Sequence, residues 1–297
     1  MNSDKATTYG GLLLHQEPMS KHTSWRVGGN AERYYIPLDL SDLQAYLAVL
    51  EPDTGITWVG LGSNMLVRDG GIRGDVIAPL NALNRLELLD DGCILADSGV
   101  TNSRVAKLCL KHELSGGEFL AGIPGTVGGA LAMNAGSFGS ETWSHVVHVT
   151  MINRQGQLID RKPSDFTIAY RSVAGAEDEW FASAVFHFAP REAGQASGIR
   201  QMLQKRNASQ PIGQPSCGSV FKNPEGDHAA RLIESAGLKG HCQGGACVSE
   251  KHANFIISKP QTRASDIEAL IRYIQQTVEQ KYGVKLDTEV RIVGEAG

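Results

Sequence analysis

The chain has 297 residues, 41% of them hydrophobic, which suits two ordinary domains with separate cores. Its formal net charge is -4 at pH 7, with Lys and Arg scattered along the chain, so no basic field is offered to nucleic acid. The longest apolar run near the start is Leu12, Leu13 and Leu14, too short for a signal core or a membrane span, and a soluble, cytoplasmic protein with no membrane partner is expected.

In chain order, the short β-type runs TWVGL, MLVRD and DVIAP surround one helix at SDLQAYLAVL. There Ser41 and Gln44 predict a capping box, and Leu43, Tyr46, Leu47 and Leu50 form the apolar stripe. NRLELL, CILADS, VVHVTMINR and WFASAVFHF read as further strands, with a helix around RVAKLCLKH whose Val105, Leu108 and Cys109 share a face. The polar, small-residue patch APREAGQASG marks a domain boundary, and a helix follows it. DHAARLIESAG predicts a short helix closed by Gly237, and NFIIS a buried strand. SDIEALIRYIQQTVEQKYG is the clearest helix, with a capping box at Ser265 and Glu268 and a stop at Gly283. VKLDTEVRIVG alternates as a half-buried or edge strand.

The five cysteines, Cys93, Cys109, Cys217, Cys242 and Cys247, are odd in number and irregularly spaced, which suits reduced thiols better than a disulfide framework. His241, Cys242 and Cys247 lack a second half-site with metal spacing, so no metal is expected.

Two glycine-rich loops carry the first chemical signal. In GLGSN, residues 60 to 64, the amides and short polar side chains can turn toward an anion, although the same composition also serves a plain turn. It is no Rossmann fingerprint, because Met65 stands where the third glycine belongs and no helical pattern follows. The second loop, within residues 115 to 139, is too rich in glycine for a lone helix and too apolar for a solvated linker. Together the loops suit a long ligand with a pyrophosphate, or else tight packing of strands through glycine.

Seven stretches, HTSWRVGGNAE, GLGSNMLVRDGGIRGDVI, LAGIPGTVGGALAMNAGSFG, AYRS, GSVFKNP, HANFI and LDTEVRIVG, occur in an order that resembles the UDP-N-acetylenolpyruvoylglucosamine reductase (UDP-N-acetylmuramate dehydrogenase) family. The short stretch between Arg171 and WFASAVFHF resembles its shorter, type II form. The resemblance implies an α+β fold: an N-terminal segment at 1–19, an FAD-binding domain of the vanillyl-alcohol-oxidase type with two α+β subdomains at 20–192, and a smaller α+β substrate-binding domain at 196–297. It implies non-covalent FAD, NADPH as co-substrate, UDP-N-acetylglucosamine enolpyruvate as the molecule reduced, a role in peptidoglycan synthesis, and a monomer. Cofactor contacts would come from Gly60, Leu61, Gly62, Ser63, Asn64 and Met65, and from Gly122, Ile123, Pro124, Gly125, Gly128, Gly129, Asn134, Ala135 and Gly136. Rival readings are an FAD-dependent sugar or alcohol oxidase of the same fold, and a nucleotide-sugar-binding protein without catalysis.

The reaction needs a hydride at one alkene carbon, a proton at its neighbour, and something to steady the charge between. Read alone, Arg171 is an ordinary surface charge and Glu289 lies on a polar strand face with Lys285, Asp287 and Arg291. By resemblance Arg171 polarises the enolpyruvyl carboxylate and Glu289 supports protonation. Cys217 is the natural suspect by nucleophilicity, with His228 or His241 as a base, yet no Cys-His pair is fixed by the sequence and a lone thiol is more often a small buried residue. The resemblance makes Ser219 the proton donor and Asn223 a substrate contact; the resulting alkoxide needs a partner, for which Lys222 or a water relay is a candidate, unless Lys222 instead contacts the substrate diphosphate.

Overall fold

The computed structural model describes residues 9–192, 194 and 198–297, which form two compact, discontinuous units. Unit 1 takes the described residues up to His15, then Arg33–Gly60 and Gly74–Met202; unit 2 takes Gln16–Glu32, Leu61–Arg73 and Leu203–Gly297. The single cut expected between 192 and 196 adjoins residues 193 and 195–197, which lie outside the described residues, as do residues 1–8 of the expected N-terminal segment. Residues 12–18 of that segment form a strand, Leu12–Pro18. Residues 16–32 and 61–73 belong with 203–297 because their partners lie there. The strand Met65–Val67 pairs in parallel with Arg291–Val293, and Trp25 Nε1 donates to the Ile256 carbonyl at 2.7 Å.

In unit 1, alternating apolar and polar residues build an antiparallel five-stranded sheet. Its spatial order is Leu158–Arg161, Val146–Asn153, Glu179–Phe186, Ile94–Asp97, Leu86–Leu88. Helices α1 (Leu40–Ala48), α2 (Asn102–Lys111) and α3 (Val127–Ala132) accompany it. Val105, Cys109, Leu131, Trp143, Val149 and Phe186 share one core, and Tyr35, Leu43, Tyr46 and Leu47 share another with Ile77 and Ile152. Leu43, Tyr46 and Leu47 of the expected stripe are therefore buried, while Leu50 lies beyond the helix and is half-buried, and the cap is not Ser41 with Gln44. Asp39 caps α1, its carboxylate accepting from Asp42 N at 2.9 Å, because the helix begins at Leu40, two residues earlier than a Ser41 cap requires.

After α4 (Ile199–Ser209), unit 2 holds α5 (Ala229–Ser235), α6 (Ala264–Tyr282) and a sheet of Cys242–Gln243, Ala246–Val248 and Ile256–Ser258. Ile267, Leu270, Ile271, Ile274 and Val278 of α6 pack into a core with Trp25, Phe221 and Leu232. The N-terminus of α6 also departs from the expected box. Asp266 accepts from Arg263 N at 3.0 Å, and Asp69 accepts from Ala264 N and Ser265 N, each at 2.9 Å. Glu268 instead pairs with Arg68 at 3.1 Å, so a carboxylate distant in sequence caps the helix.

Two further expectations are corrected. Cys242 and Cys247 are joined in a disulfide, while Cys93, Cys109 and Cys217 are free and buried. A hairpin at Gly244 and Gly245 sets the two bridged cysteines opposite one another in register, which linear spacing does not display. The strand expected over 284–294 is regular only at Arg291–Val293. Before it, Leu286 and Val290 are buried and Lys285 and Asp287 exposed, so the alternation is real, but pairing is limited to one bridge, Thr288 with Phe221.

Candidate active site

In unit 2, the turn before Ser219 depends on Gly218, whose φ of +72° is left-handed. Nothing lies within 4 Å of where its β-carbon would stand, so the angle, not crowding, calls for glycine. Ser219 is half-buried and its hydroxyl makes no hydrogen bond among the described residues. The two residues after it are buried and pinned. Val220 N donates to Asn254 O at 2.9 Å, and Val220 O accepts from Glu289 N at 2.8 Å. Lys222 N donates to Asp287 O at 2.9 Å, and the Lys222 ammonium has no ion pair among the described residues. Asn223, proposed from sequence as a substrate contact, uses Oδ1 to accept from Ala229 N at 3.1 Å at the start of α5.

Glu289 is half-buried, and Asn64 Nδ2 donates to its carbonyl at 3.0 Å. Arg291 N returns a bond to Asn64 O at 3.1 Å. The Asn64 end of the GLGSN turn is thus tied to the Glu289 backbone within unit 2. At its bend Gly62 has φ +56°, and an added β-carbon would lie 2.0 Å from His22 O. The backbone N-H groups of Leu61 and Gly62 have no acceptor among the described residues, which leaves two successive amides for an anion.

Cys217 faces this turn from beneath, with Sγ 3.5 Å from both Gly62 O and Met65 O. Burial pushes its thiol up to about 12, so it is neutral near pH 7 and a poor nucleophile.

In unit 1, Gly60 packs against Thr126, which caps α3 by accepting from Gly129 N at 3.4 Å. Val127 N and Gly128 N donate to Val100 O and Ser98 O, so the opening amides of α3 are spent on protein rather than on an anion. Glycine here serves close packing: a β-carbon on Gly128 would meet that of Ser98 at 2.9 Å. Ser98 Oγ and Asn102 Oδ1 are buried beside this loop with no hydrogen-bond partner among the described residues. An orphan of this kind costs about 1–3 kcal/mol unless a polar ligand meets the loop, so these residues fit a bound polar cofactor. Gly122 ends the 3-10 turn Glu118–Gly122, Ile123, Pro124 and Gly125 lie between that turn and α3, and Asn134, Ala135 and Gly136 follow α3.

Arg171 sits at the bend of a hairpin formed by Thr167–Ala169 and Ser172–Ala174, with φ +53°. Its guanidinium donates to Asn134 O at 3.2 Å and Gly136 O at 2.7 Å, and lies 4.9 Å from the centre of the Tyr170 ring. Asn134 is itself held by Glu141 Oε2 at 2.8 Å and by Trp143 N at 3.2 Å. The sequence candidates therefore fall into two sets. Unit 1 gathers Gly60, the loop from Gly122 to Gly136, and Arg171, while unit 2 gathers Leu61 to Met65, Ser219, Lys222, Asn223 and Glu289. Ser98 and Asn102 escaped notice because neither stands in a glycine loop, and Asn254 because in sequence it heads the apolar run NFIIS, although the strand itself begins at Ile256.

Comparison with known proteins defines the class first. Residues 31–161 match the FAD binding domain family and residues 210–293 match the UDP-N-acetylenolpyruvoylglucosamine reductase C-terminal domain, so the α+β fold is that of a flavoprotein. A reductase of that name from Methylococcus capsulatus is 53% identical over 96% of this chain and 94% of its own, and one from Coxiella burnetii is 49% identical over 99% of both. The crystal structure of the UDP-N-acetylenolpyruvylglucosamine reductase from Thermus caldophilus superposes with a TM-score of 0.81 at 26% identity, covering 95% of this chain and 98% of that one. The chain belongs to the UDP-N-acetylenolpyruvoylglucosamine reductase family. No described helix is long and apolar enough to cross a membrane.

Proposed function

We propose that this protein reduces the enolpyruvyl ether of UDP-N-acetylglucosamine enolpyruvate to the lactyl ether of UDP-N-acetylmuramate, in the cytoplasm, for peptidoglycan synthesis. The observation that carries this reading is likeness to reductases at about half identity over nearly the whole chain. Bound there, FAD would supply the hydride chemistry that links NADPH to the alkene.

The amides of Leu61 and Gly62, with Ser63, Asn64 and Met65, would hold the cofactor's diphosphate, and Gly60 and the loop from Gly122 to Gly136, with Ser98 and Asn102, would take its remaining polar surface. Arg171 receives the substrate carboxylate, where negative charge grows as the alkene is reduced, and a planar guanidinium suits that group. Ser219 gives the proton to the second carbon, its hydroxyl being committed to no protein acceptor among the described residues. Glu289 supports that delivery. Lys222, with no ion pair among the described residues, meets the alkoxide or a substrate phosphate, and Asn223 contacts substrate beside it. The protein acts as a monomer.

The test is anaerobic and spectroscopic. Purified protein should carry a yellow flavin that NADPH bleaches and the enolpyruvyl nucleotide sugar restores. Bleaching without recovery on adding that sugar would overturn the reading, and recovery by oxygen with a simple sugar as reductant would favour an oxidase.

A further inference from the structure

We propose that Asn254 is a positioning residue for proton transfer, fixing Ser219 through the two residues that follow it; the proposal rests on Ser219 being the donor. Asn254 is 3% exposed. Its Nδ2 donates to Phe221 O at 2.8 Å while its Oδ1 accepts from Phe221 N at 3.0 Å, so one carboxamide satisfies both backbone groups of one residue. The Asn254 carbonyl takes Val220 N at 2.9 Å as well. On the other side Val220 O accepts from Glu289 N at 2.8 Å, and Lys222 N donates to Asp287 O at 2.9 Å.

Residues 220–222 are thus held on one side by the 287–289 backbone, around the single bridge of Phe221 with Thr288, and on the other by the carbonyl and carboxamide of Asn254. Ser219 is the next residue out, and its hydroxyl is anchored by no bond among the described residues. Its location is therefore inherited from Val220 and Phe221. Only a side chain with a donor and an acceptor in one plane can hold Phe221 this way. Aspartate has the same shape, but when ionised it accepts only and leaves Phe221 O unpaired. When protonated it regains the donor.

The Asn254→Asp enzyme is the test, with Asn254→Ala as a harsher companion. Single-turnover reoxidation of NADPH-reduced enzyme by the enolpyruvyl nucleotide sugar should slow about 100-fold at alkaline pH, the scale of a misplacement near 1 Å. Flavin reduction by NADPH should stay within about threefold. Burial raises the carboxyl pKa of the new aspartate, so the reoxidation rate relative to wild type should recover as pH falls through it. His252, whose Nδ1 accepts from Asn254 N at 3.3 Å, and Lys222, Asp287 and Glu289 across the turn are present in both enzymes, so that ratio reads what the new carboxyl adds, its action on these neighbours included. The solvent deuterium isotope effect on reoxidation should rise in the variant, and Asn254→Asp should add little to Ser219→Ala. Equal losses in both half-reactions, no acid recovery, or full additivity with Ser219→Ala would each overturn the positioning role. If Ser219→Ala alone leaves reoxidation unchanged, it is instead the donor assignment that fails.

Discussion

Arg171 of unit 1 and Ser219 of unit 2 are held in opposite ways. For Arg171 the head group is fixed, by carbonyls of Asn134 and Gly136, and the backbone takes the strain at φ +53°. A left-handed angle at a residue with a β-carbon costs about 1–2 kcal/mol. For Ser219 the backbone beyond it is fixed and the head group makes no hydrogen bond among the described residues. A cation that must meet a fixed carboxylate benefits from a locked fork. A hydroxyl that must give up a proton and take another benefits from rotation, so accuracy is moved into the main chain.

Removing each head group is the strongest way to break this comparison. Ser219→Ala should slow substrate-dependent flavin reoxidation roughly 10³-fold while leaving reduction by NADPH within about threefold, as stopped-flow traces of the two half-reactions would read. Arg171→Lys should lower kcat/KM about 10²-fold, because an ammonium can neither span both carbonyls nor offer a planar fork. Two glycines then sharpen the contrast between space and angle. Gly62→Ala, facing both φ +56° and His22 O at 2.0 Å, should lose about 3 kcal/mol in denaturant unfolding and weaken flavin retention. Gly218→Ala pays only for its angle and should lose about 1 kcal/mol. The smallest effect on turnover is expected at Cys217, where Cys217→Ala should keep both half-reactions within about threefold.

A pH scan probes the frame of unit 2. Burial raises the Asp69 carboxyl, but hydrogen bonds from Ser265 and Ala264 outweigh it and hold the group below its ordinary value. A folded value below the unfolded one contributes stability above about pH 4 that is lost as pH falls through the folded value. Asp69→Asn should therefore flatten the acid limb of a Tm against pH curve and leave its neutral plateau slightly lower.

Much of this was legible because hydrophobic period and glycine punctuation are local. The stripe of α6, its stop at Gly283 and four of the five strands of the unit 1 sheet follow from neighbours in sequence, while Leu158–Arg161 was not anticipated. The misses share a cause, since each depends on a partner far along the chain or on a bend that resets register. Ser265 and Glu268 look like a cap until Asp69 arrives to do that work. Cys242 and Cys247 look unrelated until Gly244 and Gly245 fold them together. The roles of Ser219 and Arg171 came from motif resemblance, since an isolated serine or arginine carries no such information.

The parallel pairing of Met65–Val67 with Arg291–Val293 also sets an order on synthesis. When a ribosome has released the chain through residue 202, every segment of unit 1 exists, whereas unit 2 has only residues 16–32 and 61–73. Those early pieces, with buried Trp25 and Leu66 among them, must wait for the last strand before their core can close. Unit 2 is the late-folding half, and a nascent chain stalled short of Arg291 would present its apolar turn to chaperones.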